Sequence, residues 1–212
     1  MTLWFSLGTT PTPISEMAIG EVIDPIEALN TGLASFWGKS QGWAPVAAAG
    51  LLSKSRLDWQ ASLSGSLRLW IRDVPNALAQ GDLILAWANL GSLLEGTLKT
   101  LLSIYYETYK TDLEHLKKAG AFDHKKQEPK DPGVLTLEPL RQYCKSGDLL
   151  GADGDALLEL VQRRRNAVHA FVDRPIGNGL EFQQAVRDYL AMLRRVNERL
   201  PYPDDICTPH DI

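Results

Sequence analysis

The sequence predicts an all-α protein built as an up-and-down helical bundle with extra N-terminal helices. Two observations carry this. Apolar residues recur at spacings of three and four through most of the chain, and no run alternates apolar and polar residues with period two. No internal repeat breaks the pattern. At 212 residues, 44% hydrophobic and 23% charged, the chain is long enough to bury a core without staples and too apolar for wholesale disorder.

Three regions are expected: residues 1–81, an arm and helices packed on the core; residues 82–200, the bundle; and residues 201–212, an irregular tail. Met1 to Pro13 end in a Thr-Thr-Pro-Thr-Pro run that cannot propagate a helix and reads as an extended arm. A helix is expected from Ser15 to Trp37 on Met17, Val22, Ile26, Leu29 and Leu33, with a break or kink near Asp24 imposed by Pro25. The Gly-Lys-Ser-Gln-Gly turn that follows is no phosphate-binding loop, because it lacks the upstream glycine and a preceding strand.

Pro45 to Val74 is again helical, interrupted at Ser-Gly-Ser, with Leu51, Trp59, Leu63, Leu67, Trp70 and Ile71 as core positions. Trp43, Trp59 and Trp70 read as core rather than as a stacking platform. Asp82 to Lys110 is the longest amphipathic segment and the expected central helix, with Leu83, Trp87, Leu90, Leu94, Leu98, Leu101 and Tyr105 inward and Asn89, Ser92, Lys99, Ser103 and Glu107 opposite. Glu95 lies between these faces beside Gly96, which lets another helix approach. Two partners stand open for it: Lys99, one turn on, or Arg164.

Thr111 to Pro132 is charged in both signs and reads as a solvated connector; His115 and His124 lack companions at ligand spacing. A short helix is expected over Leu137–Cys144 and the last one over Glu181–Leu200, with Phe182, Ala185, Val186, Tyr189, Leu190, Leu193 and Val196 inward.

The chemistry concentrates in the remaining segment, GDALLELVQRRRNAVHAF from Gly154 to Phe171, whose helix Asp153 or Asp155 would cap. Drawn at about 100° per residue, Leu157, Leu160, Val161, Ala167, Val168 and Phe171 form one stripe with Arg164 in its middle. A guanidinium stays charged, so on an apolar face it needs a carboxylate, carbonyls or a wet cleft. Arg165 and Asn166 each fall a turn before His169, and the Asp173–Gly179 turn leaves His169 near solvent.

An arginine, four to six residues, then a histidine near a helix end resembles the motif of the HEPN superfamily, the higher eukaryote and prokaryote nucleotide-binding domains. Arg164 and His169 have four residues between them. In that superfamily an asparagine often follows the motif arginine directly; here Asn166 follows Arg165, so the functional arginine stays open between Arg164 and Arg165. The resemblance covers roughly Asp82 to Leu200. It implies a HEPN-like bundle, a site of His169 with Arg164 or Arg165, a homodimer with a composite site, and an antitoxin or other partner protein; Asn166 joins that site as a group to orient the phosphate or the imidazole, and Glu95 joins it on helix geometry, as the carboxylate that would hold Arg164. The implied activity is metal-independent endoribonuclease action in a toxin or defence system. The alternative is a non-catalytic nucleotide-binding, RNA-binding or protein-interaction module, or a scaffold in which Arg164 completes a salt bridge.

No cofactor or metal is expected, since Cys144 and Cys207 form neither a disulfide framework nor a zinc pattern. A net charge of -4 gives no global pull on nucleic acid, so RNA contact would fall to the local patch of Arg163, Arg164, Arg165 and Arg174. The short apolar run Leu3–Leu7 is no signal-peptide core, and polar residues interrupt the most apolar stretch, so a cytoplasmic protein without membrane contact is expected.

Overall fold

Twenty-five residues, Gln80–Ile104, form the helix on which most of the others pack. Leu83, Trp87, Leu90, Leu94, Leu98 and Leu101 are all buried, as their spacing predicts, and Ala86, Leu93, Thr97 and Leu102 widen the buried surface beyond one stripe. The computed structural model describes residues 13–38, 44–169, 171–203 and 209, and these bear out an all-α fold. The arm before Pro13, the turn after Gly38, Trp43, Cys207 and most of the tail lie outside the described residues.

In chain order, a 3-10 turn (Ile14–Glu16) leads to α1 (Ile23–Trp37), α2 (Val46–Leu52) and α3 (Leu57–Gly65). Two more 3-10 turns, Ser66–Trp70 and Pro75–Ala77, precede the central helix, α4. After it come α5 (Tyr106–Thr111), α6 (Leu113–Lys118), a hairpin of β1 (Phe122–Asp123) and β2 (Glu128–Pro129), a 3-10 turn (Pro132–Val134), α7 (Leu137–Ser146), α8 (Gly151–Arg165) and α9 (Gly179–Glu198). Helices α4, α8 and α9 pack pairwise against one another; α7 closes on α4 and α8, while α1 lies on α3 and α9. Every inward residue expected of α9 is buried.

Several expectations change. The helix expected from Ser15 starts only at Ile23: the break near Asp24 is found, since residues 17–22 are not helical, and there is no kink, because Pro25 is the third residue of α1, in the first turn, where a missing N–H costs no intrahelical bond. The central helix stops at Ile104, before a non-helical Tyr105. Asn89 and Ser103 are buried rather than on an outer face. Asn89 is covered because α3 and the following turn lie over that side, where its amide donates to Leu63 O and Ser66 Oγ at 3.1 and 3.0 Å. Trp59 is 60% exposed, with the Arg56 guanidinium 3.9 Å from its ring centroid; among the described residues Trp37 and Trp87 are the buried tryptophans. Leu63 is exposed as well.

Residues 111–132 are no bare connector. Leu116, Ala119, Ala121 and Phe122 are buried among the lysines and anchor α6 and the hairpin to the core. Tyr109 Oη donates to Lys130 O at 2.8 Å, and Asp123 accepts from the backbone of Lys125 and Lys126 in the turn. The antiparallel strands oppose Phe122 to Pro129, a pairing too short to show period two in sequence. His115 also has a companion, since its Nδ1 stands 2.8 Å from Asp112 Oδ1.

Gly96 does let a helix approach: a Cβ there would come within 2.1 Å of Gln60 Oε1 on α3. The Gln60 amide donates to Asn30 Oδ1 (2.8 Å) and Thr97 Oγ1 (3.3 Å), and Thr97 and the Tyr189 hydroxyl stand 3.1 Å apart. This network ties α1, α3, α4 and α9 together. Gly96→Ala is therefore expected to lose about 1–3 kcal/mol in denaturant unfolding, by displacing Gln60 and stranding buried partners. No described helix is long and apolar enough to cross a membrane.

Candidate functional site

Helix α8 buries Gly154, Leu157, Leu158 and Val161 against the bundle. Neither Asp153 nor Asp155 caps it; it begins at Gly151, with Leu150 at the cap position. Nor does it reach Phe171. It ends at Arg165, a single 3-10 turn covers Asn166–Val168, and His169 is already extended at φ -86°, ψ 94°. Asn166 and β-branched Val168 are weak helix formers, and the tighter 3-10 turn satisfies the backbone there, His169 N donating to Asn166 O. In consequence Val168 (51%) and Phe171 (104%) are exposed, not on the core stripe, and Val172 is exposed beside them.

The arginines of the last turn suit the negative end of the helix dipole and then diverge. Arg163 faces solvent. Arg164 does not meet Glu95. Its Nε and Nη2 each donate at 2.8 Å to the two carboxylate oxygens of Glu181, and its Nη1 donates to Pro175 O at 2.7 Å. Only 12% of the Arg164 side chain is exposed. Glu181 is the third residue of α9, and its backbone N donates to the capping side chain of Asn178. Arg164 thus fastens the end of α8 to the start of α9 and to the chain between them. Trp87 Nε1 holds the same segment by donating to Ile176 O, and Gly177 takes the left-handed φ of 72° that the turn requires.

Arg165 meets Glu95 instead. Its Nη1 donates to Glu95 Oε2 at 2.9 Å and to Gly91 O at 3.4 Å. A Cβ on Gly91 would stand 2.6 Å from Arg165 Cδ, so the bare backbone at Gly91 is what lets the side chain lie along α4. Lys99 Nζ also binds Glu95, at 2.8 Å, so of the two partners expected for this carboxylate Lys99 is found and Arg164 is not, Arg165 standing in its place. Burial pushes the Glu95 carboxyl up, but the hydrogen bonds from Lys99 and Arg165 outweigh it and hold the group below its ordinary value. A depressed folded value means stability present above the unfolded value of about 4.3 and lost as pH falls through the folded one. Glu95→Gln should therefore cost about 1–2 kcal/mol near neutrality, and in urea unfolding the gap between wild type and variant should narrow as pH falls below the unfolded value of about 4.3 and close once the folded carboxyl is protonated.

Asn166 is half-buried and His169 exposed, and among the described residues neither side chain has a hydrogen-bond partner. Arg174 is exposed on the chain beyond. The end of α8 therefore presents a clamped Arg164, an Arg165 fixed through one nitrogen, and an uncommitted amide and imidazole. The sequence missed Glu181 and Gly91. Asn178-Gly-Leu-Glu181 is a capping-box spacing that could have flagged Glu181 as a helix-start carboxylate. Nothing short of the α4–α8 packing marks Gly91. Among the described residues no group of three or more His, Cys, Asp or Glu side chains is arranged to hold a metal ion. Cys144 is buried, and burial pushes its thiol up to about 12. Comparison with protein-family models, curated proteins and solved structures gives no match.

Proposed function

We propose that the end of α8 is the working site of a HEPN-like endoribonuclease that needs no metal ion, with His169 transferring the proton and Arg165 addressing the phosphate. The observation that carries this reading is the uncommitted imidazole of His169, exposed just beyond an arginine whose Nε and Nη2 remain without partners among the described residues. Arg165 is also the arginine that Asn166 follows directly, the order common in the superfamily the motif resembles.

The chemistry suits these groups. An imidazole can take the proton of the RNA 2′-hydroxyl as that oxygen attacks phosphorus, or return one to the departing 5′-oxygen. The guanidinium offsets charge building on the phosphate oxygens. The products are a 2′,3′-cyclic phosphate and a 5′-hydroxyl. A homodimer would bring two such sites together, and the exposed Val168, Phe171 and Val172 are apolar surface beside the motif that a second copy can cover. The toxin or defence role, and an antitoxin as partner, rest on the resemblance alone.

A second reading, a non-catalytic RNA-binding or protein-interaction module, has its own observation: Arg164 commits Nε, Nη1 and Nη2 within the fold, which makes one of the two motif arginines structural. Induction of the wild-type chain in a bacterial host, beside His169→Ala at matched soluble level, tests the choice. Growth arrest with fragmented RNA from wild type only is the outcome expected of the nuclease. Intact RNA in both cultures favours the module.

A further inference from the structure

Residues of α2, α3, α4 and the Pro132–Val134 turn line a cleft of about 370 Å³. We propose that this cleft binds a phosphate monoester carrying a short aliphatic chain, whether or not the α8 end cuts RNA.

The charge of the lining points to the head group. Among the described residues Lys54, Arg56 and Lys99 line the cleft with one carboxylate, Asp131, while Asp58 and Glu95 meet Arg56 and Lys99 from outside the lining, in a chain whose formal net charge is -4. Each cation keeps donors to spare. Lys54 has no partner among the described residues; Arg56 meets Asp58 through Nε and Nη2, leaving Nη1; and Lys99 gives Glu95 one of its three N–H bonds. Asp131 is itself engaged, accepting from the Tyr106 hydroxyl at 3.1 Å.

Ser103 supplies the second line of argument. It is only 7% exposed and lines the cleft, yet its hydroxyl bonds no described residue. The neighbouring Thr100 hydroxyl is, by contrast, used up on Gly96 O. The Ser103 oxygen is not among the buried unpartnered atoms, so its hydroxyl is open to the cleft and is a further donor for a ligand oxygen there. Several donors around one space suit the oxygens of a phosphate better than the pair on a carboxylate.

The remaining wall fixes the rest of the ligand. Leu51, Leu52, Leu57 and Val134 are aliphatic, and among the described residues no aromatic ring lines the cleft, so this wall suits a hydrocarbon chain better than a stacked base.

The test is an amide-shift titration of the full chain by NMR with hexyl phosphate, and in parallel with inorganic phosphate, hexanoate and hexanol. Saturable shifts at Ser55, Gly96 and Gly133, with hexyl phosphate the tightest of the four, are expected. Lys54→Gln removes a cation from an exposed side chain and should weaken hexyl phosphate about tenfold. Val134→Asp, at another exposed position, should weaken it further by setting a carboxylate at the apolar wall. Both variants should keep the wild-type unfolding midpoint. Absence of saturable shifts at those amides, equal binding of hexanoate, hexanol or inorganic phosphate, or indifference to both substitutions would overturn the proposal.

Discussion

Purified His169→Ala is expected to cleave RNA at least about 100-fold more slowly than wild type, the usual scale of a lost general acid or base, with its unfolding midpoint unchanged. The structural half of this expectation follows from exposure: the imidazole stands in solvent and bonds no described residue, so its removal leaves no cavity and strands no partner. Arg165→Ala should also slow cleavage, by about 10- to 100-fold, through the guanidinium lost from the phosphate. It carries a stability cost that His169→Ala does not, because it releases Glu95 to Lys99 alone. Single-turnover rates at saturating RNA, beside denaturant unfolding of the same preparations, separate the two effects.

Arg164→Ala should do the reverse and cost about 2–4 kcal/mol of stability, the largest expected among the charged residues of the site. Breaking a buried pair leaves one charge uncompensated, at about 3–5 kcal/mol, and the lower figure allows for the 29% exposure of Glu181. The loss extends beyond the pair. Pro175 O loses its donor, and of the hydrogen bonds from other helices to the chain between α8 and α9, the one from Trp87 on α4 remains among the described residues. Proteolysis near Gly177, where the φ of 72° marks the turn, should accelerate in the variant. Glu181→Ala should destabilise similarly, and the double variant should cost less than the sum of the two, as expected of residues that act as a unit.

The fold was legible where periodicity ran long. Twenty-odd residues of threes and fours give α4 and α9 without ambiguity, because such a stripe has one way to be buried. Shorter segments were legible in part. Leu116, Ala121 and Phe122 are too few and too irregularly spaced to announce a packed hairpin among so many lysines, and only their joint burial reveals it. Asn89 looks like a surface residue until α3 covers it, while Pro25 rightly signals a break, which falls just before Ile23 and leaves Pro25 in the first turn of α1.

The site shows the same limit. Arg164, Arg165, Asn166 and His169 stand out in sequence because cations, an amide and an imidazole crowd one helix end. Their partners do not, since Glu181 is 17 residues from Arg164 and Glu95 is 70 from Arg165, separations over which a one-dimensional pattern carries no distance. Extending the helix to Phe171 placed Arg164 amid an apolar stripe. The chain leaves the helix at Arg165, and what buries Arg164 is the start of α9 rather than the core face of α8.

The most direct test of the account is cleavage of a defined RNA by the purified chain in excess EDTA, wild type beside His169→Ala, with the new ends identified chemically. The account predicts cuts by wild type alone, undiminished by EDTA, ending in a 2′,3′-cyclic phosphate and a 5′-hydroxyl. RNA left intact by wild type, cleavage abolished by EDTA, or equal cleavage by His169→Ala would contradict it.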